Sequence, residues 1–381
     1  MHTLHAIDEL AQEQLAFLAN YDIQRVIVAN QKNDKVKLKA KQDRVCRFCN
    51  KAYPEITFEN IAHLIPKSWG NTNLKSDFEC DTCNNKFSLF ETDFGSFLGI
   101  YRAFNAINDR KIKFKSNTIV AKEITLSTGK KVTWIINQNQ QQRSFSLDLE
   151  TGQGKATFFK PTYTPLNIYK LLLKIGLSCL PETEAKLYPH LLAGLNGDHD
   201  HLLVPFAEKV SIYELNLQVA SPRVFVFKKK DARYKNVTHH IQIYFREFIY
   251  MFPLPLFIPD LQNGLYKDGT LDINFCPPLL LDPPGEFIQY HRDFIGLSST
   301  NKERQEEELN FGSEPENFTK LGAWDQVTGF KPNHNMKDIQ IEGIIMIDGG
   351  VSLSEAEMAE LQNIFKEIRP NTPPQDKLPP E

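Results

Sequence analysis

Two cysteine pairs and the segment between them decide the reading. They are Cys46-Arg47-Phe48-Cys49, then Ala62-His63-Leu64-Ile65-Pro66-Lys67-Ser68-Trp69-Gly70-Asn71-Thr72-Asn73-Leu74, then Cys80-Asp81-Thr82-Cys83-Asn84-Asn85-Lys86-Phe87. A three-residue step lets both thiolates of a pair reach one ion from a tight knuckle, and two such pairs complete a closed tetrahedral Zn²⁺ site. A redox motif would account for one pair and leave the other unexplained. Disulfides fit poorly with a chain whose opening, MHTLHAIDEL, carries two acids and no lysine or arginine and so does not read as a signal peptide. The remaining cysteines, Cys179 and Cys276, are isolated in apolar surroundings and read as inert core residues. Thirty residues separate Cys49 from Cys80, more than a simple zinc ribbon needs. The knuckles are therefore expected to clamp a strand bearing His63, a turn through Gly70-Asn71 and a helix opening at Asp81.

Outward from this centre, the 381 residues have ordinary globular composition, 41% apolar and 24% charged. The longest apolar stretch, Phe248 to Ile258, is interrupted by Pro253 and Pro255 and is too short to span a bilayer. No membrane role and a cytoplasmic location are expected. The net charge of −3 hides an asymmetry: residues 1–150 sum to +4, leaving −7 for the rest. Arg25 to Lys51 holds nine basic residues against Asp34 and Asp43, and Lys35, Lys37, Lys39 and Lys41 alternate with period two, as on a strand or arm with one lysine face. Such a segment suits a polyanion, and a solvated surface is its plain alternative.

Periodicity predicts an amphipathic helix over 3–29, a helix from Asp81 to about Tyr101, and strands at 118–124, 132–137 and 144–149. Helices follow at 165–180, with Lys170, Lys174 and Ser178 on one face, and at 182–195. Strands are expected at 211–219, 223–227 and 238–250, irregular chain at 253–285 and an acidic loop at 302–316. A last helix should begin at Ser352 or Ser354, each with a glutamate three residues on as a capping box. Asp198-His199-Asp200-His201 reads as a polar loop, and His239-His240 as strand neighbours facing opposite ways.

The order Cys46-x-x-Cys49, His63-Leu64-Ile65-Pro66, Gly70-Asn71 and Cys80-x-x-Cys83-Asn84 resembles the HNH endonuclease family, whose fold is the ββα-metal or His-Me finger. The resemblance runs from Cys46 to Phe94. It implies an N-terminal zinc-stabilised ββα-metal nuclease domain (1–115) and says nothing of residues beyond about 115. There the predicted elements give a larger α+β domain (116–369), expected to regulate or target the first, and the proline content a disordered tail (370–381), so the chain as a whole is expected to be α+β. The resemblance also implies metal-dependent hydrolysis of DNA. His63 would be the general base, Asn71 (or Asn73) the residue that orients the histidine loop, and Asn84 a ligand of a catalytic Mg²⁺ or Mn²⁺. Many family members carry an acid or histidine just before the catalytic histidine; here that position is Ala62. Glu91, which shares a helix face with Asn84 and Ser88, is the expected substitute ligand, with Asp93 and Glu59 weaker candidates. Lys35, Lys37, Lys39, Lys67 and Lys86 would contact the DNA backbone. Association with bacterial defence or restriction, a small-molecule or protein activator acting through the C-terminal domain, and homo-oligomerisation complete what the resemblance suggests. The alternative keeps the zinc and loses the catalysis: an inactive nucleic-acid-binding protein.

Overall fold

The computed structural model describes residues 4–31, 38–101, 114–115, 119–137, 145–148, 153–197, 199–208, 210–266, 277–281, 288–312, 322–325, 329–332, 343–347 and 353–368. Lys35, Lys37, Cys276, His334 and the tail from 370 lie outside them. Helix and strand are mixed throughout. The chain forms two compact units, one of Met1–Phe97 with Thr162–Arg304, the other of Leu98–Pro161 with Gln305–Glu381. This division differs from the expected boundary between 115 and 116. Residues 162–304 join the N-terminal segment because the helix Pro165–Cys179 packs on the helix Asp81–Phe97, and strand Tyr21–Val28 pairs with Val210–Lys229.

In the first unit an antiparallel sheet forms the floor. His239–Leu254 pairs with Val210–Lys229, whose first part also pairs with Tyr290–Ile295 and whose last part pairs with Tyr21–Val28. The strands expected at 211–219 and 223–227 are one strand with register shifts between Glu214 and Arg223. Pro222 lies in that shifted stretch, where a residue lacking an N–H is tolerated. The core between sheet and N-terminal segment is aromatic: Phe17, Tyr21, Phe225, Phe227 and Tyr244 are all buried.

Several sequence expectations are corrected here. The helix expected over 3–29 is confined to Ala11–Asn20, preceded by a short strand Leu4–Ala6 and followed by strand Tyr21–Val28. The β-branched run Ile23, Val26, Ile27 and Val28 favours the pleated form once a partner strand is present. The helix expected over 182–195 is two pieces, Glu182–Ala185 and Pro189–Leu195, because Pro189 opens a new helix and cannot sit inside one. Between 302 and 316 the chain is a strand, Glu306–Gly312, paired with Gln153–Phe159. Glu307 is largely buried there and pairs with Lys160, while the exposed Glu308 pairs with Lys155. Of the lysine arm, residues 38–40 have no regular structure and Lys41–Asp43 is a single 3-10 turn.

The second unit holds an antiparallel sheet of Gly343–Ile347, Lys131–Asn137, Ile119–Thr125 and Phe114–Lys115, and a three-stranded one of Glu306–Gly312, Gln153–Phe159 and Phe145–Asp148. Its helix Glu355–Ile368 begins with the expected capping box: the Glu357 amide donates to Ser354 Oγ, and Ser354 N–H donates to the Glu357 carboxylate. Among the described residues no helix is long and apolar enough to cross a membrane.

Candidate active site

The four cysteines come together. Cys46 and Cys83 sulfurs lie 3.7 Å apart, Cys49 and Cys80 3.8 Å, and all four fall within 4.8 Å of one another. Zinc bound tetrahedrally at about 2.3 Å per sulfur needs sulfur–sulfur edges of about 3.8 Å, so this donor set fits zinc. The first knuckle is shaped by backbone bonds, Cys46 N–H to Lys51 O and Asn50 N–H to Cys46 O, with Asn50 at φ 57° in the left-handed region that asparagine tolerates. The second knuckle is the first turn of the helix Asp81–Phe97. Asp81 accepts from Thr57 Oγ and from the Glu59 and Asn60 amides, which ties the loop entering the histidine strand to the helix start. Among the described residues this is the one histidine, cysteine and acid cluster able to hold a metal; the Asp200 side of the 198–201 loop instead pairs with Lys170 at 2.7 Å.

His63 stands on a very short hairpin, Ala62–His63 against Lys75–Ser76. Two residues per strand hold little register by themselves. The loop between them is fastened by Asn71, which is fully buried. Its side-chain amide donates to Ile65 O at 2.7 Å and Leu74 O at 3.0 Å and lies 3.5 Å from His63 Nδ1. Its Oδ1 accepts from the Asn73 and Leu74 amides. Asn73 is turned outward, to Asn30 and Gln31. The bonds that close the loop are made by Asn71 and not by Asn73. Gly70, at φ 94°, makes the turn into it, a conformation that disfavours any residue with a Cβ. Trp69 is buried against Phe94 of the helix and Phe245 of the sheet, both at 4.6 Å between ring centroids, so the loop is seated on the floor.

His63 is half-buried, and no described residue occupies its Nε2. Burial first, then the cations of Lys67, Lys174 and Lys75, hold its proton affinity below the ordinary 6.5. On the helix, the Asn84 side-chain amide and the Glu91 carboxylate are likewise without a hydrogen-bond partner among the described residues. The other nearby acids are committed: Asp93 to Asn167 at 2.7 Å, Glu59 to Lys41, Asp77 to the Lys39 amide, and Asp81 to its loop. Burial pushes the Glu91 carboxyl up, and Lys174 acts against that rise. Ala62 is buried and supplies no ligand. Residues 46–93 match the HNH endonuclease family model. Neither the curated proteins nor the solved structures yield a significant match to the chain.

The HNH match makes nucleic acid the implied substrate. Of the candidate backbone contacts, Lys39 and Lys67 are exposed, while Lys86 is spent on the carbonyl of Asn196 at a helix end. Lys39 also approaches Glu182 at 3.8 Å, a loose surface pair.

Periodicity alone did not reveal how the HNH module is held. Arg47, inside the first knuckle, donates to the carbonyls of Leu177, Ser178 and Leu180 and stacks on Phe78, capping the helix Pro165–Cys179 where its carbonyls are unpaired. Asn196 donates to Phe48 O, and Asn30 grips Gly70 and Thr72. Lys174, 1% exposed, pairs with the buried Glu79 at 3.0 Å and donates to His63 O at 2.8 Å. The polar stripe Lys170–Lys174–Ser178 was the available signal: a helix otherwise apolar all round buries lysines only where partners await them.

Proposed function

We propose that the HNH module is a metal-dependent endonuclease that hydrolyses DNA phosphodiester bonds. The reading is supported by one observation: within the segment matching the family, a fully buried Asn71 fastens the histidine loop and lies 3.5 Å from His63 Nδ1, while Nε2 has no partner among the described residues. His63 accepts the water proton at Nε2, for which a lowered proton affinity keeps it neutral at physiological pH. Asn84 and Glu91 would hold a divalent ion, Mg²⁺ or Mn²⁺, which when bound would supply positive charge to offset that developing on the scissile phosphate and the leaving 3′ oxygen. Zinc on Cys46, Cys49, Cys80 and Cys83 fixes the fold of the module. Lys39 and Lys67, with Lys35 and Lys37 of the same arm, bind backbone phosphates, so affinity falls steeply with salt. The second unit serves as sensor or targeting module for a small-molecule or protein trigger, in a cytoplasmic defence or restriction system in which the chain self-associates.

The test is plasmid cleavage with Mg²⁺ or Mn²⁺ by wild type and His63→Ala, with zinc measured on both. Metal-dependent cleavage lost in the variant is expected; cleavage indifferent to His63 would remove the mechanism. Ala62 favours a second reading, a zinc-stabilised nucleic-acid-binding protein without catalysis. DNA binding with no cleavage under either ion would establish that reading instead.

A further inference from the structure

We propose that Lys174, on a helix outside the HNH module, is a positioning residue for the nuclease reaction: its ammonium holds the backbone of the catalytic strand in place. The inference rests on the nuclease reading and deepens it. His63 lies on a strand only two residues long, paired to Lys75–Ser76. Its carbonyl accepts from Lys174 Nζ at 2.8 Å, across 111 residues of sequence. The same ammonium pairs with Glu79 at 3.0 Å, immediately before the second cysteine pair, and lies 5.9 Å from the ring of Phe87 on the helix that carries Asn84 and Glu91. One cation thus touches the strand, the zinc knuckle and the helix, the three parts whose mutual placement sets the site.

Burying a lysine and a glutamate costs more than an apolar pair of the same shape, so the arrangement has no obvious merit as a stabiliser. What it provides is direction. An ammonium has three donors, and here they are shared between a carboxylate and the carbonyl of the catalytic residue. Asn71 fixes the loop from within, Lys174 fixes His63 from beneath, and both act on the same short strand. A shift of about 1 Å at a reacting group costs up to roughly a hundredfold in rate, so the second anchor bears on turnover.

Lys174→Met alone strands the buried Glu79 and so mixes a folding defect into the readout; Glu79→Gln/Lys174→Met removes both charges together. The double variant is expected to keep one zinc per chain and cooperative unfolding, to half-saturate with DNA within about twofold of wild type, and to cleave at saturating DNA roughly tenfold to a hundredfold more slowly. Wild-type turnover in that variant would overturn the proposal, since Lys174 would then only balance Glu79. Should the double variant lose zinc, Glu79→Gln decides. It leaves Lys174 on the His63 carbonyl, so activity within about threefold of wild type supports the proposal, and a loss as deep as that of Lys174→Met overturns it. Absence of cleavage by wild type itself would defeat the nuclease reading and this inference together, and is seen before any Lys174 variant is made.

Discussion

His63 and His239 stand in two regions of the same unit, and both have lowered proton affinity with burial as the leading cause. They differ in what their nitrogens do. His239 is fully buried on the long sheet, with Nδ1 bonded to Tyr188 Oη at 2.7 Å and Nε2 to Glu184 at 2.8 Å. Glu184 is drawn down to about 2, foremost by that histidine and further by Lys228 and Gln24. Both nitrogens of the His239 ring are spent. His63 keeps one ring nitrogen unspent, and on the helix Asp81–Phe97 the Asn84 side-chain amide and the Glu91 carboxylate have no hydrogen-bond partner among the described residues. A perturbed histidine marks burial in either place; the two rings differ in that His63 keeps one nitrogen without a partner among the described residues and His239 keeps none.

The comparison breaks most visibly at the zinc. Chelation or Cys80→Ser should abolish cleavage and expose residues 46–94 to hydrogen exchange while the sheet around His239 stays protected, because structural zinc contributes about 10 kcal/mol or more to a small module. Simultaneous loss of protection in both regions would show that they are one folding unit. Next in size, His63→Ala should lower turnover by about a hundredfold or more with zinc unchanged. His239→Ala should leave turnover within about threefold yet lower unfolding stability by roughly 3 kcal/mol, since Tyr188 and Glu184 lose their buried partner. Equal effects of the two on turnover would erase the distinction drawn above.

Asn71→Ala should cost about 3 kcal/mol and reduce turnover by about tenfold, because it frees two carbonyls and two amides in a buried loop, whereas Asn73→Ala should cost under about 1 kcal/mol. Urea titrations of both measure this. The smallest effects are those of pH. His63 is depressed, so the acid limb of kcat/KM should fall below pH 6.5 and vanish in His63→Ala. Glu184, whose ordinary value of 4.5 is lowered on folding, contributes stability that is complete above about pH 4.5 and lost as pH falls toward 2. Glu184→Gln should flatten that part of the stability profile.

What the sequence made legible was chemistry with fixed local spacing. The two cysteine pairs, His63, the Gly70 turn and the Ser354–Glu357 box all act over a few residues, and each is where periodicity and motif put it. What it hid was pairing over long separation. Tyr21–Val28 reads as the end of an amphipathic helix until Val210–Lys229, some two hundred residues on, supplies its ladder. Pro189 in a leucine-rich run was a local stop signal that the helical pattern overrode. Glu306–Gly312 looked like a solvated acidic loop because its partner lysines, Lys155 and Lys160, lie far upstream. In the site, Asn71 and Asn73 were separable only by burial, and Glu91 only by elimination of acids already engaged.

The bond from Lys174 to the His63 carbonyl also has a consequence in time. A ribosome extends the chain from its N-terminus, so the zinc knuckles and the histidine strand emerge first. The helix Pro165–Cys179 follows only after the whole segment Leu98–Pro161 has been made. Until then Arg47 has no helix end to cap and His63 no anchor beneath it. The segment that matches the nuclease family is thereby completed only once the helix Pro165–Cys179 has been made.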